Sequence, residues 1–220
     1  MKTIKKYHVV IYISIIICAL IVIFINVLDY KKSKSIKIIR KPIIEEETPI
    51  KDNIPTIDFE KLRKKYKNKD IKGAIRIKND SFEEIVFQTN NNTYYLNHDY
   101  RKKKVSGEIF LDSELNIDKS KIKLIYGNAS NKSIIFKKYF DEQYYINHKY
   151  IELETEKEIY KYEVMLVYSG NISYESFDSQ KILDNSLYTY NVDFNNNDDF
   201  LIYSTIIDNK QISIVCKKVS

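Results

Sequence analysis

Few side chains in this 220-residue chain are suited to covalent chemistry. The thiols are Cys18 and Cys216, and the imidazoles are His8, His98 and His148. A hydroxyl or thiol becomes a working nucleophile when a base lies within hydrogen-bond reach. Ser204, Thr205 and Cys216 are the candidate nucleophiles of the C-terminal part, and His98 is the candidate base. The sequence sets no base beside Ser204-Thr205, and a Ser-Thr pair ahead of a turn commonly serves the turn itself. Cys216 in the last apolar segment reads as a buried, inert thiol. His98 and His148 read as surface or hydrogen-bonded structural histidines. The histidines form no H-E-x-x-H pair and the cysteines have neither metal nor disulfide-framework spacing, so no metal or cofactor is expected. The run Leu124-Ile125-Tyr126-Gly127 stops at a glycine and is followed by polar Asn128. A core strand ends in this way when it delivers a side chain to a cleft.

The composition is that of a folded protein, with 44% hydrophobic and 30% charged residues, and with 19 Tyr and 10 Phe supplying aromatic core material. Only 4 Gly and 3 Pro are present, which excludes collagen-like and low-complexity readings. The formal charge is +6, but with Lys2, Lys5 and Lys6 set aside, 33 basic residues face 30 acidic ones over residues 29–220. No basic stripe is interleaved with aromatics, so nucleic acid is not an expected partner.

Residues 7–28 contain no Asp, Glu, Lys or Arg. A run of this length matches the roughly 20 residues a helix needs to cross a bilayer, and no A-x-A-like cleavage site follows Leu28. A retained single-pass membrane anchor after a short basic N-terminus (residues 1–6) is expected. Basic residues flank the run on both sides, with Lys31, Lys32, Lys34, Lys37, Arg40 and Lys41 outnumbering Lys2, Lys5 and Lys6. By count, the positive-inside rule slightly favours an internal C-terminal part. Residues 29–56 hold all three prolines and pass from basic to acidic at Glu45-Glu46-Glu47, as an extended stalk does.

The rest, 57–220, reads as one mainly β domain. Asp58 is placed to cap a helix reaching Tyr66, with Phe59, Leu62 and Tyr66 on one face. Alternation predicts Ile71, Ile75 and Ile77 on one face of a strand. Further strands are expected at 84–88, 108–112, 122–126, 150–153, 159–168, 200–204 and 211–215, with turns at Asn90-Asn91-Asn92 and Thr155–Lys157. Short helices are expected at 134–140, capped by Ser133, and near Ser179–Leu183. Many short strands with few helices predict a closed or nearly closed β-barrel.

The order of these segments resembles the class B sortases, membrane-anchored cysteine transpeptidases of Gram-positive bacteria that join surface proteins to the cell wall or to pilins. The resemblance runs from about Ile57 to the C-terminus. Ile57-Asp58-Phe59 with Leu62, then Asn68, Asp70 and Gly73-Ala74-Ile75, is similar to the family's first helix and its Gly-Trp-Ile strand, with Ala74 for Trp. Ile85-Val86-Phe87-Gln88 before Tyr94-Tyr95-Leu96 resembles Pro-Val-Val-Gln…Tyr-Leu, and Gly107-Glu108-Ile109-Phe110-Leu111-Asp112 resembles Gly-x-Ile-Phe-Leu-Asp. Ile125-Tyr126-Gly127, with Ser133 and Phe136 beyond it, resembles the segment of the catalytic histidine.

The family's chemistry needs that histidine, a cysteine in Leu-x-Thr-Cys and an arginine opening the last strand. Asn128, Ile206 and Gln211 stand at the matching positions in this sequence. Isoleucine has no nucleophilic atom, asparagine does not titrate near neutral pH, and glutamine brings no positive charge to an oxyanion. The resemblance therefore implies an inactive, sortase-like barrel on a membrane stalk outside the cell, against the charge count. Its expected partners are a sorting-signal peptide, a surface protein, a pilin or an active sortase. The alternative is a divergent transpeptidase or hydrolase with relocated machinery, drawn from Ser204, Thr205, Cys216 and His98.

Overall fold

A computed structural model describes residues 17, 20–21, 36–42, 54–105, 107–127, 134–207 and 210–219. The chain divides into two compact units, Met1–Ser35 and Ile36–Ser220. Of the first unit, Ile17, Leu20 and Ile21 are described, and all three are helical. The rest of the expected span 7–28 lies outside the described residues, among which no helix is long and apolar enough to cross a membrane.

The second unit is built on a closed β-barrel. Its helix α1 is Phe59–Tyr66. The strands are β1 (Ile71–Ile77), β2 (Glu83–Phe87), β3 (Ile109–Leu111), β4 (Ile122–Tyr126), β5 (Tyr150–Glu154), β6 (Ile159–Ser169), β7 (Ser186–Thr189), β8 (Phe200–Ile207) and β9 (Lys210–Lys218). Short helices α2 (Ile134–Lys138) and α3 (Glu142–Asn147) lie between β4 and β5, and α4 (Ser179–Asp184) precedes β7. The strands run in the order β5-β1-β2-β3-β4-β8-β9-β6-β7, and a β5–β6 pairing closes eight of them into the barrel. The first half of β6 pairs with β5, and β7 pairs with its second half outside the closed ring.

Local rules explain the first elements. Asp58 accepts a 2.8 Å hydrogen bond from the Lys61 amide and so satisfies an otherwise orphaned donor of α1. The helix ends at Lys67, whose φ of 49° breaks the repeat. Phe59 and Leu62 are buried against Ile71, Ala74, Ile85, Phe87, Tyr95 and Phe110. The larger core lies elsewhere, around Ile75, Val86, Leu124, Ile125, Tyr162, Leu166, Ile202 and Val215.

Several expectations are corrected. Ile71 does not share a core face with Ile75 and Ile77: a register shift between Ile71 and Gly73 places Ile71 with Ala74 in the smaller cluster. Ser204 and Thr205 do not precede a turn. They lie inside β8, which runs on to Ile207, because β9 pairs with it along its whole length. Helix α3 and strand β7 were not expected. The helix foreseen at 134–140 is shorter, Ile134–Lys138, and its expected cap Ser133 lies outside the described residues.

Candidate functional site

Three strand ends meet at one end of the barrel. Strands β4 and β8 are parallel, with Tyr126 opposite Ser204. Beyond β4 the backbone is fastened to β8 on both sides of Gly127. The Gly127 amide donates to the Ser204 carbonyl at 2.8 Å, and the Thr205 hydroxyl donates to the Gly127 carbonyl at 2.8 Å. This approach requires glycine: a Cβ on Gly127 would lie 2.8 Å from the Tyr203 hydroxyl oxygen and 2.9 Å from its ring. Asn128 follows Gly127 in sequence and lies outside the described residues.

Strand β9 returns antiparallel to β8 and pairs Gln211 with Ile206. The two positions singled out on these strands are therefore direct cross-strand neighbours. Ile206 is 59% exposed, whereas the five preceding residues of β8, Leu201 to Thr205, are buried. Gln211 is half-buried, and its Nε2 donates to the Ser204 Oγ at 2.7 Å. The Ser213 hydroxyl donates to the same oxygen at 3.0 Å. Gln211 and Ser213 share a face of β9 because strand side chains alternate.

This geometry bears on the candidate nucleophiles. Ser204 is 1% exposed, and its oxygen already accepts two hydrogen bonds. Thr205 is 3% exposed, and its proton is committed to the Gly127 carbonyl. Cys216 is fully buried, and burial pushes its thiol well above the ordinary value. It lies five residues beyond Gln211 along β9, about 17 Å at strand spacing. His98 is held elsewhere, with Nδ1 at 2.8 Å from the Tyr94 carbonyl and its ring stacked on Tyr94 at 4.2 Å. The structure thus brings Ile206, Gln211 and Ser204 together at one end. It brings His98 into hydrogen-bond contact with none of Ser204, Thr205 or Cys216. Among the described residues no group of three His, Cys, Asp or Glu is arranged to hold a metal.

The segment after the site is anchored by Asp80, in the turn between β1 and β2. Its Oδ2 accepts from Lys138 Nζ of α2 and Tyr144 Oη of α3, each at 2.8 Å. Burial on its own raises this carboxyl. The hydrogen bonds from Lys138, Tyr144 and the Phe82 amide outweigh it and bring the group down to about 2. His148, at the end of α3, stacks on Tyr144 at 4.0 Å and so closes the same corner.

The Ser204–Gln211–Ser213 contact was not foreseen, because Ser213 carries no motif. Its signal is the alternation Gln211, Ser213 read against Ser204 across a hairpin. With these groups the described part of the site donates and accepts hydrogen bonds around an exposed apolar residue. It offers no paired nucleophile and base.

No protein-family model matches the chain. A curated relative, sortase B of Listeria monocytogenes, is 27% identical over 165 residues, covering 67% of this chain. The chain spans 65% of the length of that relative. The structure of Clostridium perfringens sortase B is 27% identical with a TM-score of 0.64, covering 73% of this chain and 100% of that one. A sortase B complexed with triglycine is 25% identical with a TM-score of 0.63, over 74% of this chain and 85% of that one. In sequence and in the closed barrel, the chain is similar to class B sortases.

Proposed function

We propose that the chain is a membrane-anchored, catalytically inactive sortase-like protein that binds a peptide at the β4, β8 and β9 end of the barrel. Residues 7–28 form its anchor and the barrel domain stands outside the cell; of the expected stalk 29–56, Ile36, Ile38 and Ile39 pack against the smaller core cluster and Arg40 bridges to Ile57, so this part belongs to the domain. The observation that carries the reading is the pairing of Ile206 with Gln211 beside Gly127. The family's chemistry asks for a thiol, a guanidinium and an imidazole at the positions that Ile206, Gln211 and Asn128 match in sequence. A strand end that keeps an exposed isoleucine beside a side-chain amide retains the means to hold a peptide and not the means to cleave it. Peptide binding is supported by the related sortase B complexed with triglycine. The partners this suits are a sorting-signal peptide on a surface protein or pilin, held by this chain for an active sortase.

The test is titration of fluorescent sorting-signal peptides onto the full chain in neutral detergent micelles. Saturable binding that Ile206→Asp abolishes is the expected result. Absence of saturable binding, or binding indifferent to Ile206→Asp, overturns the proposal.

A further inference from the structure

At the opposite end of the barrel, where β1 begins and β2 and β5 end, lies a cleft of about 830 Å³. Its lining carries five cations (Arg63, Lys64, Lys67, Lys69, Lys72) and three acids (Glu60, Asp118, Glu156). Every one of these acids is already engaged. Glu60 pairs with Lys64 at 2.6 Å, Glu156 with Arg63, and Asp118 with Lys157 at 3.3 Å. Lys67, Lys69 and Lys72 remain: all three are exposed, and none has an ion-pair partner among the described residues.

Helix electrostatics explains only part of this. Cations near a helix C-terminus complement its negative end, which accounts for Lys64 and Lys67. Lys69 and Lys72 lie beyond the helix, in the turn and on β1, where no dipole calls for them. Three unpaired ammonium groups around one concavity repel one another, in a domain whose charge is otherwise nearly balanced. An anion relieves that repulsion.

We infer that this cleft is a binding site for a phosphorylated, non-aromatic ligand with more than one anionic group. The volume falls within the range of small-molecule sites and exceeds what a single phosphate fills. Lysines act as point charges that accept phosphate from many directions, whereas planar carboxylates favour the arginine fork, and the one arginine here is already paired with Glu156. No aromatic side chain lines the cleft, so a nucleobase has no stacking surface. Gln88, Asn116 and Thr155 complete the wall, held in place by their own bonds: Gln88 Nε2 donates to the Asp112 and Leu115 carbonyls at 2.7 Å, and Asn116 Oδ1 accepts from the Asp118 and Lys119 amides at 3.0 Å. The site is remote from Ile206 and Gln211 and does not depend on the peptide-binding proposal.

The experiment is isothermal titration of the full chain in neutral detergent micelles at physiological ionic strength. The probes are inositol hexakisphosphate, inorganic tripolyphosphate and citrate. Saturable binding of inositol hexakisphosphate is expected, with citrate much weaker. Neutralising exposed Lys69 and Lys72 together (Lys69→Gln, Lys72→Gln) is expected to weaken it about a hundredfold, tenfold for each charge-assisted hydrogen bond lost. Glu156→Gln, which releases Arg63, is expected to tighten it. Tripolyphosphate binding as tightly as inositol hexakisphosphate supports the phosphate chemistry and assigns an inorganic source. No saturable binding, equal affinity in the double variant, or citrate matching the phosphates overturns the inference.

Discussion

Glu154 joins the segment ahead of the barrel to its wall, and its removal has a cost that can be worked from the structure. The side chain is 2% exposed. Its Oε1 accepts from the Thr56 and Ile57 amides at 2.5 and 2.6 Å, and its Oε2 lies 3.4 Å from Arg76. Glu154→Ala leaves two amide donors without their acceptor, while Arg76 keeps Glu152 at 2.5 Å. Leaving two donors unsatisfied in this way costs about 2–6 kcal/mol, at about 1–3 for each. Glu154→Gln keeps an oxygen for the two amides and removes only the charge, for about 2 kcal/mol. Urea unfolding of the full chain in micelles reads the two values, and hydrogen exchange at the Thr56 and Ile57 amides reads the local contact. Large, ordered losses with faster exchange at both amides are expected. A loss under about 1 kcal/mol for Glu154→Ala, the size of an exposed pair, refutes the reasoning.

Two further outcomes follow from buried groups. Asp80 has a folded value of about 2 against an ordinary 3.8, so its contribution to stability is complete above about pH 4 and is lost as pH falls from there towards 2. Acid unfolding followed by circular dichroism is expected to lose about 2 kcal/mol over that window, and Asp80→Asn is expected to flatten it. Cys216 is fully buried, so in a Cys18→Ser background the native protein is expected to react with a disulfide reagent at least about a thousandfold more slowly than the unfolded chain, because the thiol is reached only by opening the fold. Native labelling at the unfolded rate would restore Cys216 as a candidate nucleophile. Ile206→Cys, at a 59% exposed position, is expected to label at once.

The barrel was legible in the sequence because alternation and apolar runs mark single strands, and most of those strands are where the pattern put them. The cap at Asp58 was legible for the same reason: it acts over three residues. What escaped reading depends on pairing partners. The register shift that turns Ile71 away from Ile75 is set by β2, and the extension of β8 past Thr205 is set by β9. Glu154 reaches amides 97 and 98 residues away, and nothing in its own neighbourhood announces a buried carboxylate. The five cations of the cleft fall within Arg63–Lys72, but the wall they face comes from three further loops, at Gln88, Asn116–Asp118 and Thr155–Glu156, so the concavity is not read from that window. Of the three site positions singled out in the sequence, Asn128 lies outside the described residues. That Ile206 and Gln211 are cross-strand neighbours, with Ser204 and Ser213 bonded beneath them, required the hairpin.

The central proposal is that a sortase-like barrel stands here without transpeptidase chemistry. The direct measurement is incubation of the unmutated full chain, in micelles, with a sorting-signal peptide and an amine nucleophile, followed by mass spectrometry of the peptide. The expected result is peptide recovered intact, with neither hydrolysis nor transfer to the amine. Cleavage or transfer that grows with time and protein concentration would contradict it, and its loss in Cys216→Ser would assign the reaction to that thiol.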